Sequence, residues 1–354
     1  MKRLLVAAVA VLTVVTLAAF AGRTQTASAT PAKPQQSASL VGTGATFVFP
    51  LMSKWIPAVD NALGIKITYT ATGSGAGIAQ ITARTVDFGA SDAPLTPDQL
   101  TACRGCVVIP WALAGMSVMY NLPGLGKRLV LNGQVLTNIY LGNITTWNAP
   151  AIRALNPGVS LPSTRITPVY RSDGSGSTYA FTDYLSAVSA QWKSRVGKGT
   201  SVNFPTGTGA RGSSGVAGVV RSTVGAITYA DAAYAIQNKI PFAAIKNRAG
   251  GNALPGIRGV TKALCEVPNR VTNLAQLKIV DPSAKCGKQA YPITTFTYVI
   301  VPTSSGDKAA TLRRFIYWAV TQGQKLGPPL YFVPMPRNVN AFVYREIKKI
   351  QAGS

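Results

Sequence analysis

The chain has 354 residues, 47% of them hydrophobic, with 35 Lys and Arg against 11 Asp and Glu, no His, and a formal net charge of +24. Without histidine, Ser-His-Asp and Cys-His nucleophiles and His-ligated metal sites are excluded, and with only Glu266 and Glu346 as glutamates a paired-carboxylate hydrolase has little to work with. The basic residues are scattered singly, with no zinc-finger spacing, basic helix or RNA-binding aromatic signature, so no nucleic-acid partner is expected and the surplus reads as a solvated face toward anionic wall polymer or membrane.

At the N-terminus, Lys2 and Arg3 precede an apolar run that reaches Ala21. Small residues then offer cleavage after Ala19-Phe20-Ala21 or after Ala27-Ser28-Ala29. This three-part pattern predicts a secretory signal peptide over residues 1–29. The run is close to the ~18-residue lower limit for a membrane span. It holds no Cys to accept a lipid. Residues 30–40, rich in Ala, Ser, Gln and Pro, read as a flexible tether. Roughly 320 residues would remain after export, which suits two domains of ~100–200 residues each.

Strands are predicted at Ile65–Thr70 and at residues 107–109, 117–120, 166–170, 226–229 and 298–301, with helices after several of them. After Ser177, Phe181, Tyr184, Leu185 and Val188 recur at i, i+3, i+4 and i+7, a helix signature. Strands alternating with helices give an α/β fold. No internal repeat is visible. Four cysteines allow three pairings, and the local ones, Cys103 with Cys106 and Cys265 with Cys286, are expected. Cys103-Arg104-Gly105-Cys106 follows a polar turn and not a strand, which argues against a thioredoxin-like motif, and the second pair lacks the CxxC spacing of a zinc site.

Three Gly/Ser/Thr segments stand where helices should begin: Gly44-Ala45-Thr46-Phe47, Gly73-Ser74-Gly75-Ala76-Gly77 and Asp173-Gly174-Ser175-Gly176-Ser177-Thr178. Each alone is an ordinary N-cap. Together they offer free N–H groups and hydroxyls at positive helix ends, which is how proteins hold anions. Arg171 adds a bidentate fork, and Asp173 is placed to steady it. The Gly-rich stretches do not match nucleotide loops: residues 42–47 lack the third glycine of the dinucleotide fingerprint, and residues 207–212 lack the Lys-Ser/Thr of a P-loop.

These segments, with others, resemble the phosphate-binding component of the high-affinity bacterial ABC phosphate transporter. The matching stretches are GTGATFVFP (42–50), VDFGASDAPL (86–95), YLGNITTW (140–147), RSDGSGST (171–178), GAITY (225–229) and YPIT (291–294). They run from about residue 40 to the C-terminus. The resemblance implies a type II, Venus-flytrap periplasmic-binding-protein fold with a two-strand hinge. One lobe is expected at residues 41–112 plus 290–354 and the other at 113–289, with crossings near 110–116 and 289–293. It implies a phosphate cage of Thr46, Phe47, Ser74, Asp92, Arg171, Ser175, Gly176 and Ser177, with Asp173 orienting Arg171. Ser177 stands where the family usually has Thr, and keeps the hydroxyl. Ser74-Gly75 departs from the usual Ser-Ser pair, which puts a side-chain donor at position 75 in doubt. The implied partners are inorganic phosphate and the permease subunits of an ABC importer, for a monomer without cofactor or metal, located in the periplasm, on the wall or outside the cell.

Asp92 carries the specificity argument. A carboxylate only accepts hydrogen bonds, so it suits phosphate, which keeps a proton at neutral pH, and repels sulfate, which does not. Its alternative role is to cap the turn before Ala93-Pro94. Three other functions are set against phosphate capture. They are binding of another oxyanion such as sulfate or molybdate, a cell-surface adhesion or sensing protein with a basic face, and a secreted phosphatase-like enzyme. The last needs a nucleophile with a base, or metal ligands, and the sequence supplies neither.

Overall fold

A computed structural model describes residues 38–353. The predicted signal peptide and residues 30–37 of the predicted tether lie outside the described residues. The remaining tether positions, Ala38, Ser39 and Leu40, open a strand, Ala38–Gly44, that pairs in parallel with Ile65–Thr70 and Phe88–Ser91.

The main sheet has nine strands. Its order is Ile65–Thr70, Ala38–Gly44, Phe88–Ser91, Thr294–Pro302, Cys106–Tyr120, Ala226–Asp231, Thr167–Arg171 and Thr208–Ala210, with Phe332–Val333 also pairing the long central strand. A small sheet of Val130–Asn132, Ala244–Lys246 and Asn252–Ala253 lies apart. The Ile65–Thr70 strand alternates buried Ile65, Ile67 and Tyr69 with exposed neighbours, as a strand with one solvated face must.

The central strand Cys106–Tyr120 replaces two short strands predicted at 107–109 and 117–120. Pro110 and Gly115 hide its continuity, because both weaken a strand interior. The pairing accommodates Pro110 with a shift of register between Thr297 and Tyr298, a bulge that leaves Trp111 without an opposite partner. Through residue 115 the strand pairs with Thr294–Pro302, and from Met116 onward with Ala226–Asp231. Almost its whole length is buried, which explains why it shows no alternation.

The helix Phe49–Leu63 starts with Pro50 in its first turn and stops at Gly64, whose φ of 65° and N–H bond to the Asp60 carbonyl form a left-handed cap. Leu51, Met52, Trp55 and Val59 line its buried face. Trp55 packs with Trp111, and Phe88 with Trp111 and Phe315, at ring separations of 5.3, 6.0 and 5.6 Å. A second aromatic group, Tyr140, Phe181, Phe204 and Tyr229, packs under the Thr167–Arg171 side of the sheet, with Phe181 stacked 4.3 Å from Tyr229. Both expected disulfides are present, each with a Cα–Cα distance of 5.6 Å.

Candidate anion-binding site

The three predicted helix starts are helix starts in the structure. Residues 45–48 lead from a strand end into Phe49–Leu63, Gly73 precedes Ser74–Thr82, and Ser175 caps Gly176–Val188. They lie against one another. Gly75 N–H donates to the Gly174 carbonyl (2.8 Å), and the Ser74 hydroxyl accepts from the backbone N–H groups of Gly176 (3.0 Å) and Asp92 (3.2 Å). Glycine is required here by space. A Cβ on Gly176 would come within 2.7 Å of both Asp92 and Ser74, and one on Gly73, at φ +103°, would meet the Asp173 carboxylate.

Arg171 is almost wholly buried, and its fork is fixed. Nε donates to Asp173 Oδ1 (2.7 Å) and Nη2 to Asp173 Oδ2. Nη1 reaches the Thr46 hydroxyl at 3.0 Å. Asp173 Oδ1 also accepts from Gly212 N–H (3.0 Å). Burial alone would raise the Asp173 carboxyl, but the Arg171 hydrogen bonds and charge and the Gly212 N–H outweigh it and hold the pKa below the usual value. Asp173 is therefore a charged brace, which sets the guanidinium plane before any ligand arrives.

Asp92 lies at the end of the strand Phe88–Ser91 and is 2% exposed. Its Oδ1 has no hydrogen-bond partner among the described residues, and neither has the buried Ser177 hydroxyl. Burial pushes the Asp92 carboxyl up from 3.8 to about 7, against the lowering pull of Thr297, Arg171 and Ser74. A buried acceptor without a donor is costly unless something supplies one. Phe47 is fully buried at the entry to the helix Phe49–Leu63. The Ser175 hydroxyl accepts from Thr178 N–H (3.1 Å), so it holds the helix start and keeps only its own proton to donate.

Sequence reasoning missed two residues. Ser213, at the start of the helix Gly212–Ser222, places its hydroxyl 2.8 Å from the Thr46 hydroxyl and 3.2 Å from Arg171 Nη1, and its N–H donates to Thr46 (3.2 Å). Tyr234 donates from its hydroxyl to the Thr46 carbonyl (2.8 Å). The run Gly207-Thr208-Gly209-Ala210-Arg211-Gly212 was the available signal. It fails as a nucleotide loop, yet Gly212 still begins a helix aimed at the same point, with φ of +74°. A cleft of about 400 Å³ lined by Thr46, Thr72, Arg211, Gly212 and Tyr234 leads from this point to solvent.

Residues 29–322 match the family model described as "PBP superfamily domain". The chain is 41% identical to the phosphate-binding protein PstS of Xylella fastidiosa (strain Temecula1), covering 92% of this chain and 88% of that one. It is 36% identical to the phosphate-binding protein PstS of Pasteurella multocida (strain Pm70), covering 90% of each. Among solved structures, the high-affinity periplasmic phosphate-binding protein PfluDING with bound phosphate superposes with a TM-score of 0.68 at 22% identity, over 87% of this chain and 93% of that one, a likeness of fold. The family model and the PstS relatives, each spanning most of the chain, settle its membership: the chain belongs to the PstS family of phosphate-binding proteins, with their two-lobed α/β fold.

Proposed function

We propose that the chain captures inorganic phosphate between its two lobes and hands it to the permease subunits of an ABC importer. The observation that carries this reading is the pairing of a guanidinium held by Asp173 with a buried, unpartnered Asp92 Oδ1. The Nη edge that Asp173 does not take suits the oxygens of a tetrahedral oxyanion, and the carboxylate suits a further oxygen only if that oxygen carries a proton. Phosphate meets both demands; sulfate meets one. In this reading Thr46, Phe47, Ser74, Ser175, Gly176 and Ser177 donate the remaining hydrogen bonds, from hydroxyls and from backbone N–H groups at helix starts.

The lobes are residues 41–112 plus 290–354 and 113–289. The exchange of partners along the central strand at residues 115–116, beside the bond from Met116 N–H to the Ile293 carbonyl (2.8 Å), supports crossings near 110–116 and 289–293. The protein acts as a monomeric carrier, a reading supported by relatives that are phosphate-binding proteins. It works outside the cytoplasmic membrane, which fits the predicted signal peptide and two disulfides.

Calorimetric titration of the mature protein with phosphate, arsenate and sulfate tests the reading. One phosphate per chain, with sulfate far weaker, is the expected result. Sulfate equal to or tighter than phosphate would overturn the ligand assignment.

A further inference from the structure

The charge of this chain is not distributed as in a neutral carrier. Every carboxylate between residues 113 and 289 is already engaged. Asp173 braces Arg171, Asp183 pairs with Lys198 and Lys278, and Asp281 pairs with Arg248. Glu266 accepts from Ser283 N–H, and Asp231 is buried as a helix cap. These five acids stand against 19 lysines and arginines over the same residues, so the lobe keeps a large positive surplus.

Some of those cations share one concave feature. Two grooves, of about 410 and 490 Å³, adjoin at Arg128 and Phe242, and none of their lining residues lines the cleft at Thr46. Lys127 and Lys239 line the first, and Arg258 and Tyr331 the second. Arg128 and Phe242 line both, and there the guanidinium lies 4.2 Å over the ring while Nη1 donates to the Phe242 carbonyl (2.7 Å). The stack fixes the guanidinium and leaves its outer edge toward the groove. None of the four cations has a carboxylate partner among the described residues, and no acid lines either groove.

We propose that this double groove binds a linear chain of phosphate groups. Cations set in series along a concave track suit repeated charges on a flexible polymer, whereas a lipid bilayer presents its headgroups on a broad surface that a recessed track does not meet. The phosphate cage takes a single tetrahedral ion between lobes, so the two sites do not compete. The polymer's chemistry comes from two sources, a phosphoanhydride chain or a polyol phosphate ester, and both present the same anionic oxygens.

The test uses the mature protein with two probes, inorganic polyphosphate and poly(glycerol phosphate), followed by fluorescence anisotropy or calorimetry across a salt series. Four phosphate contacts predict a slope of about −3 for log affinity against log salt. The exposed charge reversals Lys127→Glu, Lys239→Glu and Arg258→Glu together should weaken polymer binding by roughly tenfold or more, since each removes a counterion-releasing contact. The tighter of the two probes identifies the source. Orthophosphate binding measured on the same variants reports the fold and the cage separately, so loss of one activity is distinguishable from loss of the other. Three results would overturn the proposal. These are polymer binding unchanged by the reversals, an equal loss from Lys54→Glu with Lys66→Glu on the other lobe, and displacement of the polymer by orthophosphate. Binding to anionic vesicles that matches the polymer and falls with the same reversals would assign the groove to membrane instead.

Discussion

Asp92 makes the cage sensitive to pH, and the sign follows from its surroundings. Its pKa in the folded chain stands near 7 against 3.8 for the ordinary group, because burial outweighs the pull of Thr297, Arg171 and Ser74. A raised pKa means that its contribution to stability is fully present below pH 4 and is lost as pH rises through 7. The shift corresponds to something on the order of 4 kcal/mol between the two protonation states. Asp92→Asn should therefore flatten the fall in stability of the phosphate-free protein between pH 4 and 7, and chemical denaturation at pH 5 and pH 8 on both proteins measures it. An identical pH profile would mean that Asp92 titrates normally. In the proposed cage the same ionisation would govern selectivity. Above pH 7 the carboxylate would accept the phosphate proton and repel sulfate. Below it, a protonated Asp92 can itself donate to sulfate. Sulfate affinity should rise from pH 8 to pH 6 in the wild type and stay level in Asp92→Asn, with the phosphate-to-sulfate ratio lowered in the variant. Arg171 presents the complementary case. Arg171→Ala should nearly abolish phosphate binding, a loss of roughly 2–5 kcal/mol for a buried charged contact, and Arg171→Lys should recover little, because an ammonium cannot fill two oxygens of the fork or grip both Asp173 oxygens. Near-normal affinity in the lysine variant would remove Arg171 from that role.

The cage is assembled by helix starts, and how readily each could be read depended on local chemistry. The loops before Phe49, Ser74 and Gly176 combine glycine with hydroxyl residues beside an apolar helix pattern, so both the cap and the helix were legible. The helix Gly212–Ser222 gives a weaker signal, because its cap residue Arg211 makes no side-chain cap bond and its glycine run matches no nucleotide loop. Ser213 is consequently the residue whose role rests on geometry alone. Its hydroxyl bonds Thr46 across the cleft and accepts from Arg171 Nη1, so Ser213→Ala removes one neutral bond worth about 0.5–1.5 kcal/mol and one from the charged Arg171, while the Ser213 N–H bond to Thr46 stays. Phosphate affinity should fall about three- to tenfold by calorimetry, with the larger share in the dissociation rate. No change in dissociation would show that the contact forms only incidentally. Alternation makes Ile65–Thr70 legible, where one face is solvated, and short apolar runs mark the buried strands Ala226–Asp231 and Thr294–Pro302. The central strand, buried along its length and interrupted by Pro110, shows in the sequence as two pieces, and the start of Ala38–Gly44 is hard to tell from the linker because it is polar.

At the scale of the whole molecule the two halves of the sheet are joined by the central strand and by a zip of hydrogen bonds through the cage: Gly75 to Gly174, Gly176 to Ser74, Arg171 and Ser213 to Thr46, and Tyr234 to the Thr46 carbonyl. Most are single neutral bonds worth about 0.5–1.5 kcal/mol net, so the zip alone adds only modestly to what holds the two sides together. A ligand that adds charge-assisted bonds to both sides changes that balance. It also stabilises the native state by mass action, ~2.7 kcal/mol at a hundredfold excess over Kd. For a chain of this size that is a rise in melting temperature of roughly 5 °C. Ionic strength separates this mechanism from simple attraction to a basic surface. The chain carries a net charge of +24, and exposed charges are screened beyond ~8 Å at physiological salt. Arg171 and Asp92 are both nearly inaccessible to solvent and therefore poorly screened. The phosphate-induced rise in melting temperature should then persist from low to moderate salt at saturating phosphate, with affinity falling only a fewfold. A steep salt dependence of orthophosphate affinity would place the ion on the open basic surface and not between the lobes. The two outcomes differ because a caged ion exchanges its water for fixed donors, whereas a surface ion merely displaces other counterions.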